Sequence, residues 1–136
     1  MVSNRIYHSL FFLTLNPNKQ ITKYEDGFKK YLSSFKSFID KTFNEENTNN
    51  IVQDDEKLRN IQIYKTIEQS PKRGFPHAHL LIICSNRGGK CKLDFQYIRD
   101  SAKEWNDNKN VHLKSKIIYN SKDINNVIEY MKKGKS

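Results

Sequence analysis

Only two cysteines, three prolines and five glycines occur among the 136 residues. Cys84 and Cys91 do not form a Cys-x-x-Cys pair, so no disulfide framework is expected, and reduced thiols in a reducing compartment are the simpler reading. A zinc knot joining the two thiols to His77 and His79 fits no common zinc module. No run approaches the ~20 apolar residues that span a bilayer, and the start Met1-Val2-Ser3-Asn4-Arg5 has no signal-peptide core. The expectation is an intracellular protein without membrane contact. Acid is also in deficit: 24 Lys and Arg stand against 15 Asp and Glu, giving +9 at neutral pH. The cations are spread over most of the chain, a field that favours a polyanion, with nucleic acid the first candidate.

A chain of this length makes one domain, with no room for a second enzymatic module. His8 to Leu15 is rich in strand formers and stops at Asn16-Pro17-Asn18, a turn signal. Thr22-Lys23-Tyr24-Glu25 has the form of a capping box. Phe28, Tyr31, Leu32, Phe35, Phe38, Ile39 and Phe43 follow at helical spacing. The polar, Asn-rich stretch from Asn44 to Glu56 is expected to form a mobile loop. From Leu58 to Glu68 the pattern alternates. Ile61, Ile63 and Ile67 face one side; Gln62, Tyr64, Thr66 and Glu68 face the other.

Ser70 to Gly74 turns this strand into an antiparallel partner running through Pro76-His77-Ala78-His79-Leu80-Leu81-Ile82-Ile83. Asp94 caps a helix with Phe95, Ile98, Ala102 and Trp105 on its apolar side. Val111 to Tyr119 is a fourth strand, and Ser121 or Asp123 caps a last helix through Ile124, Val127, Ile128 and Met131. The order β-α-β-β-α-β-α is that of a ferredoxin-like (RRM-like) α+β fold, an antiparallel sheet covered on one face.

His77 and His79 are alternate residues of a strand and project to the same side, where they can grip one ion. Glu68, nine residues before His77 on the adjoining strand, can bring a carboxylate to that face. Two imidazoles and a carboxylate leave coordination positions open, as a catalytic ion needs, and without thiolate they suit Mn²⁺ or Mg²⁺. On the last helix, at about 100° per residue, Tyr130 falls beside the apolar stripe in company with Asn126 and Lys133. A tyrosine placed there can present its hydroxyl outward, and an ammonium such as Lys133 assists a phenol whose ordinary pKa is near ~10. Tyr119-Asn120-Ser121-Lys122 repeats the Tyr-x-x-Lys spacing, but at a strand end, where packing or binding is the better assignment. His8 and His112 fall in strands with no partner motif. Gly134-Lys135-Ser136 imitates the end of a phosphate-binding loop, yet the required glycine is Glu129, so no ATP site is expected.

Pro76-His77-Ala78-His79-Leu80-Leu81-Ile82 resembles the His-hydrophobic-His motif of HUH endonucleases, and Tyr130-Met131-Lys132-Lys133 resembles their Tyr-x-x-Lys motif. Phe12-Leu13-Thr14-Leu15-Asn16 is similar to the first motif of replication initiators of small circular single-stranded DNA viruses and related plasmids. The motifs follow family order and the likeness spans Phe11 to Lys133. The histidine run is nearer to rolling-circle transposon versions, which usually carry two tyrosines on this helix. Tyr130 alone stands there, as in single-tyrosine initiators.

The resemblance implies sequence-specific nicking and joining of single-stranded DNA at a stem-loop origin. The implied metal ligands are Glu68, His77 and His79, the nucleophile is Tyr130, and its helper is Lys133. DNA contacts would come from Thr14, Asn16, Lys72, Arg73 and Asn126. It further implies a monomeric nicking domain in a host nucleus or cytoplasm, working with host replication proteins or a helicase domain, from which this chain could have been excised. The rival expectations are a single-tyrosine HUH transposase and a non-catalytic RRM-like module for single strands.

Overall fold

The computed structural model describes residues 6–17, 25–53, 59–69, 76–87, 89–107, 111–118, 125–129 and 131, with side chains left out at 25–28, 69 and 118. Its elements are β1 (Tyr7–Asn16), α1 (Glu25–Thr42), a 3₁₀ turn (Glu45–Asn47), α2 (Thr48–Ile51), β2 (Val52–Gln53), β3 (Arg59–Gln69), β4 (Pro76–Asn86), β5 (Lys92–Leu93), α3 (Phe95–Trp105) and β6 (His112–Ile118), and residues 125–129 and 131 are helical. Four strands form an antiparallel sheet in the order β3-β4-β1-β6, and β2 and β5 form a separate small pair. The fold is α+β.

Alternation within the strands sorts the side chains onto two faces. Phe11, Leu13 and Leu15 of β1, with Ala78, Leu80, Ile82 and Cys84 of β4, pack beneath Phe35, Phe38 and Ile39 of α1 and Ile98 and Ala102 of α3. Ile61, Ile63 and Ile67 of β3 join this side, as their spacing predicts. Asp94 caps α3 by accepting a hydrogen bond from the Tyr97 amide at 3.0 Å.

The second face is covered in part, contrary to the expectation of a sheet buried on one side only. Leu10, Leu81 and Met131 form a second cluster with Phe12, Ile83, Val127 and Ile128 against it, so the last helix lies on this face. The run Leu80-Leu81-Ile82-Ile83 is apolar on both sides and needs cover on both. The capping residues Thr22, Ser121 and Asp123 and the turn 70–74 lie outside the described residues.

Two further expectations are corrected. The Asn-rich stretch holds the 3₁₀ turn, α2 and β2, and buries Ile51 and Val52 completely. Its asparagines order it through their own side chains. Asn44 Oδ1 accepts from the Asn47 amide at 2.8 Å, and Asn47 Nδ2 donates to the Thr42 carbonyl at 2.8 Å and the Tyr97 hydroxyl at 3.0 Å. Cys84 and Cys91 are joined in a disulfide, not held as free thiols. The turn after β4 folds the chain back, and the bonded pair lies buried in the core.

Candidate metal centre

Glu68 and His77 are direct partners across the β3–β4 ladder, and His79 is paired with Thr66 two residues further along. Paired residues share a face, so the carboxylate and both imidazoles stand together on the side that carries the last helix. Glu68 Oε2 is 2.7 Å from His77 Nε2 and 3.3 Å from His79 Nε2. The two rings meet edge to face, with centroids 5.0 Å apart. One donor atom from each of the three residues lies within 4.8 Å of the others, the only such metal-capable group among the described residues.

The donor set fits a divalent cation. Ligands at ~2.0–2.2 Å from one ion stand roughly 3–3.5 Å apart. The Glu68–His79 distance already has that value, and the Glu68–His77 hydrogen bond has to open by only a few tenths of an ångström. Exposure is graded across the group: the His79 side chain is 6% exposed, Glu68 18% and His77 25%. The centre is anchored in the protein at one end and open at the other. Burial pushes the His79 imidazole below the usual histidine value, with a smaller push the same way from His77 and an opposing pull from the Glu68 carboxylate. Burial thus favours neutral imidazole, the form that binds metal.

His79 is held from its other side. Its Nδ1 is 3.1 Å from the Thr14 hydroxyl of β1, and the Phe12 ring stacks on it at 5.4 Å with planes 10° apart. Thr14 pairs with His79 on one side and with Lys114 of β6 on the other, so His79, Thr14 and Lys114 form one row across the sheet. Phe12 also packs against the cluster that contains Met131, linking the His79 ring to the last helix.

Of the residues expected from sequence, Glu68, His77 and His79 are brought together, Thr14 joins them, and Asn16 shares their face two residues along β1. Asn126 is exposed on the last helix, and no described contact joins it to the triad. Tyr130, Lys133, Lys72, Arg73 and Tyr119 lie outside the described residues. Sequence reasoning assigned Thr14 to DNA and gave Phe12, quoted in the same motif, no role of its own, because the β1–β4 pairing that sets both against His79 joins segments some 65 residues apart. His8 is at the far end of the sheet, bonded to Ser85 at 2.8 Å, and His112 is exposed on β6. No described helix is long and apolar enough to cross a membrane. No family model matches the chain, and no curated protein matches it.

Proposed function

We propose that this protein is a metal-dependent nuclease and strand transferase of the HUH type, which nicks and rejoins single-stranded DNA at a replication origin through Tyr130. The observation that carries the proposal is the convergence of Glu68, His77 and His79 on the sheet face that also receives the last helix. The strand order β3-β4-β1-β6, with α1 and α3 as crossovers, agrees with a ferredoxin-like arrangement of the kind such nucleases use.

Glu68, His77 and His79 would hold a divalent ion, which would supply Lewis-acid polarisation of a phosphodiester oxygen. The chain's own groups supply the rest. Thr14 and Phe12 fix the His79 ring, and the open side at His77 admits substrate. Met131, the neighbour of Tyr130 in sequence, is buried against Leu10 and Leu81 in the cluster that includes Phe12. Met131, Val127 and Ile128 thus set the last helix on the face of the triad. In the proposed step the Tyr130 oxygen bonds to phosphorus and the bond to the 3′-oxygen breaks; the phenol proton passes to solvent with Lys133 favouring its loss, and the departing 3′-oxygen takes a proton from solvent to leave as the 3′-hydroxyl. The phosphotyrosine ester conserves the energy of the broken bond, so a 3′-hydroxyl can reverse the step and seal a circle without ATP.

The test is incubation with a library of stem-loop single-stranded DNAs and Mn²⁺, followed by denaturing electrophoresis. The expected result is a denaturant-resistant adduct that disappears in chelator and in Glu68→Ala. Single-strand binding that is indifferent to chelator, with no adduct from any library member, would contradict nuclease activity and favour an RRM-like binding module.

A further inference from the structure

The β6 strand runs His112-Leu113-Lys114-Ser115-Lys116-Ile117, and its register against β1 pairs His112 with Asn16, Lys114 with Thr14 and Lys116 with Phe12. Paired residues share a face, so all three basic side chains stand on the face of the metal centre. All three are exposed. Two interstrand steps of about 4.8 Å separate His79 from Lys114 along their common row, placing the ammonium-bearing strand ~10 Å from the triad. The other edge of the same face is different. Asn60, Gln62, Tyr64, Thr66 and Glu68 of β3 include no cation.

Edge strands often carry lysine simply to discourage pairing with another chain. That purpose gives no reason to put both lysines on one face. On the opposite face β6 leaves Ile117 52% exposed. The bias points to a ligand lying across the metal-centre face.

We infer that Lys114 and Lys116, with His112 at the end of the row, form a phosphate track for single-stranded nucleic acid, holding the backbone that flanks the phosphodiester at the triad. The inference rests on the nucleic-acid reading above and adds a direction to it: the strand leaves the metal centre over β1 toward β6. The contact is to phosphate and carries no base preference.

The test is fluorescence anisotropy of the full chain with a labelled single-stranded oligonucleotide, in chelator, over a series of salt concentrations. Lys114→Gln/Lys116→Gln is compared with Lys36→Gln/Lys41→Gln, which removes the same charge from exposed positions on α1, against the other face. The track predicts about tenfold weaker binding at 0.1 M salt for the β6 pair. It also predicts a log–log salt slope shallower by ~1.4, two phosphates at roughly 0.7 each. The α1 pair changes both far less. Mn²⁺ affinity and melting temperature stay at wild-type values in both, showing that fold and metal centre are intact. Equal effects of the two pairs would overturn the track and leave the nuclease proposal standing, whereas wild-type protein that bound no single strand would overturn both.

Discussion

The Thr14 hydroxyl lies 3.1 Å from Nδ1 of His79, on the side of the ring away from Glu68. A hydroxyl can donate or accept. It can therefore donate to Nδ1 when Nε2 carries the proton, and accept from Nδ1–H when Nε2 is occupied by a metal ion. A partner of this kind fixes ring orientation without opposing either state.

Thr14→Val keeps the shape of the side chain and removes that contact. It is expected to weaken Mn²⁺ binding about tenfold, the low end of the usual effect of losing such a partner. Thr14→Ser should restore most of the affinity. Calorimetric titration of metal into DNA-free protein gives the comparison. Equal affinity in all three proteins would show that the hydroxyl does not position the ligand.

Met131 tests the link between the last helix and the triad. The side chain is 5% exposed and packs with Leu10 and Leu81. Met131→Ala should cost about 2–3 kcal/mol of stability by leaving a cavity. It should also lower adduct yield while Mn²⁺ affinity stays near wild type, because none of Glu68, His77 and His79 is on that helix. A fall in metal affinity equal to the fall in adduct yield would mean that the helix and the triad are not separable in this way.

The Cys84–Cys91 bond closes a short loop, the two residues being seven apart in sequence. Loop-closure entropy for that length corresponds to about 2.5 kcal/mol. Urea denaturation with and without a strong reductant should therefore show a clearly lower midpoint in the reduced protein. Superimposable curves would show that the bond contributes nothing to stability.

Much of the candidate site was legible before any coordinates because it depends on local rules. Alternation put His77 and His79 on one side of a strand, and a short turn returned Glu68 to the same level, as the Glu68–His77 pairing bears out. The apolar Leu80–Ile83 run is the pattern of a strand with cover on both faces, but the expected sheet was covered on only one. What sequence could not supply were the non-local pairings. Only the strand order sets β1 between β4 and β6, and so puts Thr14 beside His79 and Lys114 in one row. The disulfide was missed for the same reason. Two cysteines without a paired motif gave no sign that the chain turns back after β4 and buries both. The Asn-rich stretch misled because its order comes from side-chain hydrogen bonds, such as Asn47 to Tyr97 at 3.0 Å, which hydropathy does not register.

The most direct measurement is the identity of the residue that carries the DNA. Protein trapped with a cleaved single-stranded oligonucleotide in Mn²⁺ would be digested with protease and nuclease, and the nucleotide-bearing peptide sequenced by mass spectrometry. The expected product is a 5′-phosphate ester on Tyr130, absent in Tyr130→Phe. An ester on Tyr119 or any other residue, or an undiminished adduct in Tyr130→Phe, would contradict it.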